Sequence, residues 1–301
     1  MSRPGPDPCD TPSAAVWAWR LPGGTLAKVI MAPSSAGPAE AAPSSVPPVA
    51  PRRPPVFTDL GLTVVAHRGS GTGTGPAGTR ENSLAAFRWA ADLGAPWVEL
   101  DVQASRDAGL VVRHDLRDAS GYVSAADAVD WTAQDLLTLE RLHAELPSHV
   151  GIDVEVKVGL PSEDGSDATT TAALAFLAVH ARERPWLLTS FDPTVVVRAH
   201  EHSVPTGWLT EDEASLHGSV AAAIRLRAHA VCPHVDAVLR NHPAEAPAED
   251  VLEVASRFGV QVLVWGAVPA QVPALADLGV DAVCVDAVQE TLQVLGQGPG
   301  R

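Results

Sequence analysis

Short apolar runs alternate with amphipathic stretches from Leu62 onward, and several of the runs stop at charged residues. The runs predict strands over Leu62–Ala66, Trp97–Val102, Leu110–Arg113, Ile152–Val156, Leu187–Ser190, Pro205–Leu209, Ala230–Cys232, Gln261–Trp265 and Ala282–Val285, with a further one over Ala237–Leu239. Helical spacing of apolar residues predicts helices over Asn82–Leu93, Thr132–Leu142, Ala168–Arg182, Pro193–His202, His217–Ala228, Ala248–Phe258 and Ala270–Leu278. Strands that stay apolar are buried on both faces, as in a parallel sheet covered by helices. About eight strands over about 235 residues fit a closed barrel better than an open doubly wound sheet. The fold expected is α/β, a distorted (β/α)8 TIM barrel. Distortion is expected at the link from Asp101 to Leu110, which is too short to hold a helix.

The chain before the first strand has a different character. Pro33 to Pro55 is dominated by Pro, Ala and Ser, a composition that cannot bury enough apolar surface to offset chain entropy. Residues 1–55 therefore read as a mostly disordered extension, 56–293 as the barrel and 294–301 as a flexible tail. A second methionine, Met31, offers an alternative translation start. The net charge of −15 argues against nucleic acid as a partner and against an anionic membrane surface. No apolar run approaches the roughly 20 residues of a membrane-spanning helix. The nearest thing to a signal peptide, Ala14–Ala32, is broken by Arg20, Pro22-Gly23-Gly24 and Lys28. A cytoplasmic protein without stable membrane association is expected. The cysteines, Cys9, Cys232 and Cys284, have no metal-like spacing, and the last two read as small core residues.

Charge at the ends of buried strands needs a reason. Strand one runs into His67-Arg68, strand two carries Glu99 and Asp101, His114-Asp115 follows Leu110–Arg113, and the strand from Ile152 carries Glu155 and Lys157. In a barrel the C-terminal strand ends hold the chemistry. Residues two apart on a strand share a face, so Glu99 pairs with Asp101 and Glu155 with Lys157. If those faces point inward, three carboxylates converge, and their repulsion calls for a cation. Oxygen ligands favour one hard divalent ion, Mg²⁺ or Ca²⁺, over Zn²⁺. His67 and His114 would flank it and suit acid–base work near neutral pH. Arg68 and Lys157 add positive charge for a phosphate, although Glu155–Lys157 also reads as a structural ion pair. Together these groups describe hydrolysis of a phosphodiester.

The ordered strings His67-Arg68-Gly69, Glu81-Asn82-Ser83, Glu99-Leu100-Asp101-Val102, His114-Asp115 and Glu155-Val156-Lys157 resemble the glycerophosphodiester phosphodiesterase family. Ser190-Phe191 and Gly279-Val280-Asp281-Ala282 continue the resemblance, which runs from about residue 62 to 290. It implies a distorted (β/α)8 barrel with Mg²⁺ or Ca²⁺ held by Glu99, Asp101 and Glu155. It further implies His67 and His114 as general base and acid, Arg68 and Lys157 on the phosphate, and Glu81 and Asn82 as braces. A glycerophosphodiester substrate would give glycerol 3-phosphate and an alcohol. The chain departs from the family pattern in a long Gly/Thr loop, Ser70 to Arg80, an extra residue in Asp107-Ala108-Gly109, and Ser83 for the usual Thr. It also carries Trp265-Gly266-Ala267-Val268 where the family pattern is Trp-Thr-Val-Asn. Trp265 would line the substrate pocket or pack in the core. Two other functions remain open: a lipid phosphodiesterase similar to lysophospholipase D or sphingomyelinase D, and a barrel that binds phosphoesters without turnover.

Overall fold

The computed structural model describes residues 53–58, 61–73, 75, 76, 78–118, 121–158, 166–240 and 246–297, with the backbone of 16–20 and 26–30. Contacts divide the chain into Met1–Pro48 and Val49–Arg301. In the first unit, Val16–Arg20 pairs antiparallel with Leu26–Ile30. The expected disorder of residues 1–55 and the Met31 question fall largely outside the described residues, as does the 298–301 half of the expected tail.

The second unit is built on eight parallel strands: β1 Thr63–Ala66, β2 Trp97–Ala104, β3 Gly151–Val156, β4 Trp186–Ser190, β5 Thr206–Leu209, β6 Ala230–Cys232, β7 Gln261–Trp265 and β8 Ala282–Val285. Each pairs with the next, and β8 returns to β1 through Ala282↔Thr63 to Val285↔Ala66. The sheet is thus a closed barrel, as the sequence pattern predicts. Around it lie α1 Leu84–Asp92, α2 Ala128–Thr132, α3 Leu139–Glu145, α4 Ser166–His180, α5 Pro193–Ala199, α6 Leu216–Leu226, α7 Val235–Leu239, α8 Ala248–Arg257, α9 Val272–Asp277 and α10 Val288–Val294. Among the described residues no helix is long and apolar enough to cross a membrane.

Strand alternation separates two layers of core. Val64, Val98, Leu100, Ile152, Val154 and Val283 pack against the helices. Val65, Trp97, Leu187, Leu209, Leu263 and Ala282 fill the lumen. The N-terminal end of the barrel is covered by Val56-Phe57. Their backbone N–H groups both donate to Gln261 Oε1 (2.6 and 3.0 Å), and Phe57 packs edge-on against Trp97 at 5.2 Å.

Three local expectations change. Leu110–Val112 is not a stave of the barrel. It runs antiparallel to β2, with Val102 opposite Val112 and Ala104 opposite Leu110, and pairs on its other side with Leu137–Thr138. The Ser105–Gly109 turn is too short for a crossover, so the chain can only fold back as a hairpin, which is the distortion the short link demanded. The helix expected over Thr132–Leu142 is split. α2 ends at Thr132, Asp135 takes φ +63°, and α3 begins only at Leu139, capped by the Thr138 hydroxyl. Tertiary packing overrides the helical spacing there, because Trp131 is buried with Val111 and Val123 in a cluster of its own. Ala237–Leu239 belongs to the short helix α7, not to a strand.

His229 reports on this packing. Its Nδ1 accepts from the Thr206 N–H at 3.2 Å, and burial, reinforced by Arg53 and His200, lowers its pKa to about 4. The unfolded chain takes up this proton below about pH 6.5, whereas the folded chain does so only near 4. Stability is therefore full above the unfolded value and is lost as pH falls between the two. Thermal unfolding at pH 7 and pH 5 should show a larger loss for the wild type than for His229→Asn. Equal losses would show that His229 does not carry this slope.

Candidate active site

The C-terminal end of the barrel gathers charge on one face of two neighbouring strands. Inward positions of β2 are Glu99, Asp101 and Gln103, and those of β3 are Asp153 and Glu155. The ladder sets Glu99 opposite Asp153 and Asp101 opposite Glu155. All four carboxylates are buried, Asp101 completely. Glu99, Asp101 and Glu155 each offer an oxygen within 4.8 Å of the others.

Two cations answer them. Lys157 Nζ lies 2.6 Å from Glu155 Oε1 and 3.0 Å from Asp101 Oδ1. Arg68 Nε lies 3.2 Å from Asp101 Oδ2, and Arg68 Nη1 donates to Glu81 Oε1 at 2.8 Å. Asn82 Nδ2 donates to Asp101 Oδ2 at 2.8 Å, and its backbone N–H donates to the Arg68 carbonyl. Burial pushes Asp101 up, but Lys157, Arg68 and Asn82 outweigh it and hold the group below the usual range. Glu99 is less compensated: burial, then Asp101 and Glu155, drive it well above the usual carboxylate range. Glu155 is raised chiefly by burial, and so, far more strongly, is Asp153. Glu99 Oε1 is buried without a hydrogen-bond partner. An all-oxygen donor set with surplus negative charge and an orphaned oxygen fits a hard divalent cation.

The turn after β1 brings the remaining groups to this cluster. Arg68 takes φ +50° and Gly69 φ +80°. A Cβ on Gly69 would lie 2.8 Å from the α1 backbone at Ala86 and Phe87, so only glycine lets the turn dock there. The Arg68 N–H then donates to Glu99 Oε2 at 3.0 Å, and His67 Nε2 sits 3.9 Å from the same oxygen. His67 Nδ1 meets Asp286 Oδ1, just past β8, at 2.6 Å. Asp286 is held below the usual range by that contact first, and the Thr72 N–H at the start of the Gly/Thr loop adds to it. With a carboxylate at Nδ1 the ring proton stays there, which leaves the Nε2 lone pair toward the cluster.

His114 arrives by the hairpin, not at the end of a barrel strand. The return from β2 brings Arg113 back beside Asp101, where its N–H donates to the Asp101 carbonyl at 2.9 Å. Gln103 Nε2 reaches the carbonyls of Arg113, His114 and Asp115 at 2.9, 3.2 and 2.8 Å and so pins the segment. His114 Nδ1 lies 2.8 Å from Asp115 Oδ1.

A cavity of about 210 Å³ joins these parts. Of the residues singled out from sequence, His67, Arg68, Glu99, His114, Glu155, Lys157 and Trp265 line it. Asp101 stands behind them, and Glu81 and Asn82 reach the site through Arg68 and Asp101. The opposite wall is apolar, with Phe191 set at 85° to Trp265 and Leu209 and Leu263 below.

The sequence model of the glycerophosphoryl diester phosphodiesterase family matches residues 67–290. The chain belongs to this family. One relative, "Probable glycerophosphodiester phosphodiesterase 2" of Mycobacterium tuberculosis, is 37% identical over 107 residues, which is 32% of this chain and 39% of that protein. The chain therefore aligns with well under two thirds of that relative's length. A glycerophosphodiester phosphodiesterase from Thermotoga maritima superposes with a TM-score of 0.63 at 22% identity, covering 79% of this chain and 100% of that one. An Oleispira antarctica phosphodiesterase, solved with the product sn-glycerol 3-phosphate, superposes with a TM-score of 0.63 at 22% identity, covering 79% and 98%. At these identities the superpositions establish the shared barrel.

Three site residues escaped the sequence reasoning. Asp286 follows the last strand as His67 follows the first, so the rule of charge at strand ends would have found it. Asp153 and Gln103 share strand parity with Glu155 and Asp101, and following each face two residues further would have found them. A second convergence, His143, His180 and Glu183, lies apart from this site. Arg184 Nε donates to His143 Nδ1 at 3.1 Å, so His143 Nε2 carries the proton and donates to Glu183 at 2.8 Å. That network is closed by hydrogen bonds and offers no free imidazole lone pair on His143.

The carboxylate cluster sets a stability test. Glu99→Gln should raise the melting temperature of the metal-free protein by a few degrees, or about 1 kcal/mol, by removing one buried charge. Mg²⁺ or Ca²⁺ should raise the wild-type value and leave the variant nearly unmoved. A wild type indifferent to both ions would rule out a cation at these three carboxylates.

Proposed function

We propose that this family member hydrolyses small glycerophosphodiesters to glycerol 3-phosphate and an alcohol. The observation that carries this is the convergence of His67, His114, Arg68, Lys157 and the Glu99–Asp101–Glu155 cluster on one small cavity at the C-terminal barrel mouth. The family match and the sn-glycerol 3-phosphate bound in the Oleispira antarctica phosphodiesterase support the substrate class.

Glu99, Asp101 and Glu155 would hold one Mg²⁺ or Ca²⁺. That ion, when bound, supplies positive charge to the phosphate oxygens. Arg68 and Lys157 draw the phosphate toward the same point. Glu81 and Asn82 hold Arg68 and Asp101 in place. His67, oriented by Asp286, keeps its proton on Nδ1 and accepts one from the attacking water at Nε2. His114, with its loop pinned by Gln103, gives a proton to the departing alcohol oxygen as its bond to phosphorus breaks. Water oxygen replaces alcohol oxygen on phosphorus, and one proton enters His67 as one leaves His114. Trp265 and Phe191 present apolar faces to the carbon skeleton. A cavity of about 210 Å³ suits a small diester better than a lipid.

Assays on glycerophosphocholine, glycerophosphoethanolamine and lysophosphatidylcholine with Mg²⁺, Ca²⁺ or EDTA test this. Turnover of the first two with a divalent ion, lost in EDTA, is expected. His67→Ala and His114→Ala should each lower kcat by about 10²–10⁴-fold with little change in fold. No turnover of any diester with either ion would sink the proposal, and full activity in His67→Ala would sink its mechanism alone.

A further inference from the structure

The segment after Trp265 departs from the family pattern at Gly266, and the structure gives a local reason. Gly266 takes φ +77°, a conformation open to glycine and strained for other residues. Space closes the position as well. A Cβ at 266 would lie 2.6 Å from both Cδ2 and Nε2 of His234. The His234 ring occupies the volume that a side chain at 266 would need.

His234 sits two residues past Cys232 on the mouth side of β6 and bridges to Trp265 across the sheet. The Trp265 N–H donates to the Pro233 carbonyl at 3.1 Å, and the indole Nε1 donates to the Cys232 carbonyl at 3.1 Å. The two rings meet at 4.5 Å between centroids, tilted by 64°. His234 is itself fixed, because its Nδ1 accepts from the Asp236 N–H at 3.2 Å as the cap of α7. Phe191 meets the indole from another direction at 6.2 Å. Trp265 is thus held by hydrogen bonds along its edge and by rings on its flanks, and it lines the cavity that holds His67 and His114.

The geometry points to His234 as a positioning residue that sets Trp265 as the wall of the substrate pocket. Gly266 is the partner that makes room for it. The clamp fixes how wide the pocket is beside the reacting phosphate, and so which diesters fit. For its substrate this rests on the phosphodiesterase proposal above, whereas the clamp rests on contacts between side chains.

His234→Ser removes the ring but keeps a hydroxyl that can cap α7. Glycerophosphocholine turnover by this variant should show KM raised about tenfold with kcat within about threefold, since only the wall has moved. Its preference should shift toward bulkier diesters such as bis(4-nitrophenyl) phosphate. His234→Phe, which keeps a flat ring, should restore KM. Thermal unfolding of His234→Ser, Gly266→Ala and the double variant forms a cycle in which the backbone strain at 266 cancels. Gly266→Ala should cost clearly less stability in the His234→Ser background than in the wild type. Strict additivity would overturn the clamp whatever the kinetics. Coupling together with unchanged KM and unchanged diester preference would overturn the role in substrate choice. A wild type inactive on every diester would overturn the phosphodiesterase proposal, and the cycle, with a crystal structure of His234→Ser showing Trp265 moved or unmoved, would still decide the clamp.

Discussion

The pairing of β2 with β3 governs the molecule. Six residue pairs, from Trp97↔Gly151 to Val102↔Val156, put Glu99, Asp101, Asp153 and Glu155 in one lumen patch. A slip of one residue would turn those carboxylates toward the helices and push Val98, Leu100 and Val154 inward. The register is secured at the far end of the same strands. Trp97 lies over Gly151 so closely that a Cβ there would sit 2.3 Å from the indole. Packing at the closed end of the barrel therefore fixes the alignment of charge at the open end.

That alignment works against stability. Four buried carboxylates face two cations, and burial first, with repulsion from the neighbouring carboxylates after it, raises Glu99, Asp153 and Glu155 above the usual range. An apolar patch of equal volume would be easier to fold around. Apolar side chains dominate the rest of the lumen and the helix-facing layer, and their burial offsets the cost of the patch. Backbone strain collects at the same place, with Arg68 and Asn82 both in the left-handed region and joined by a hydrogen bond.

The barrel was legible because its strands are short, apolar and regularly spaced, and Glu99, Asp101, Glu155 and Lys157 were legible because charge breaks that pattern. What could not be read was direction. Leu110–Val112 has the composition of a barrel stave, and only the brevity of Ser105–Gly109 betrays a hairpin. His114 was found for its neighbours in sequence, yet its route to Asp101 depends on that return. The breakup of Thr132–Leu142 follows from burial of Trp131, a tertiary fact outside any local period. His234 carries no local signal, because its neighbour Trp265 is distant in sequence and adjacent only across the sheet.

His67 and Asp286 are 219 positions apart, yet they touch at 2.6 Å because β8 closes on β1. In chain order His67 and the carboxylates of β2 and β3 all precede Asp286. A nascent chain holds every carboxylate of the Glu99 cluster before it holds the partner of His67. The contact between His67 and Asp286 thus forms only with the seam of the barrel, and a product that stops short of Asp286 lacks it. Contacts of such sequence separation are slow to form, so the pace of seam closure sets when His67 gains its carboxylate partner.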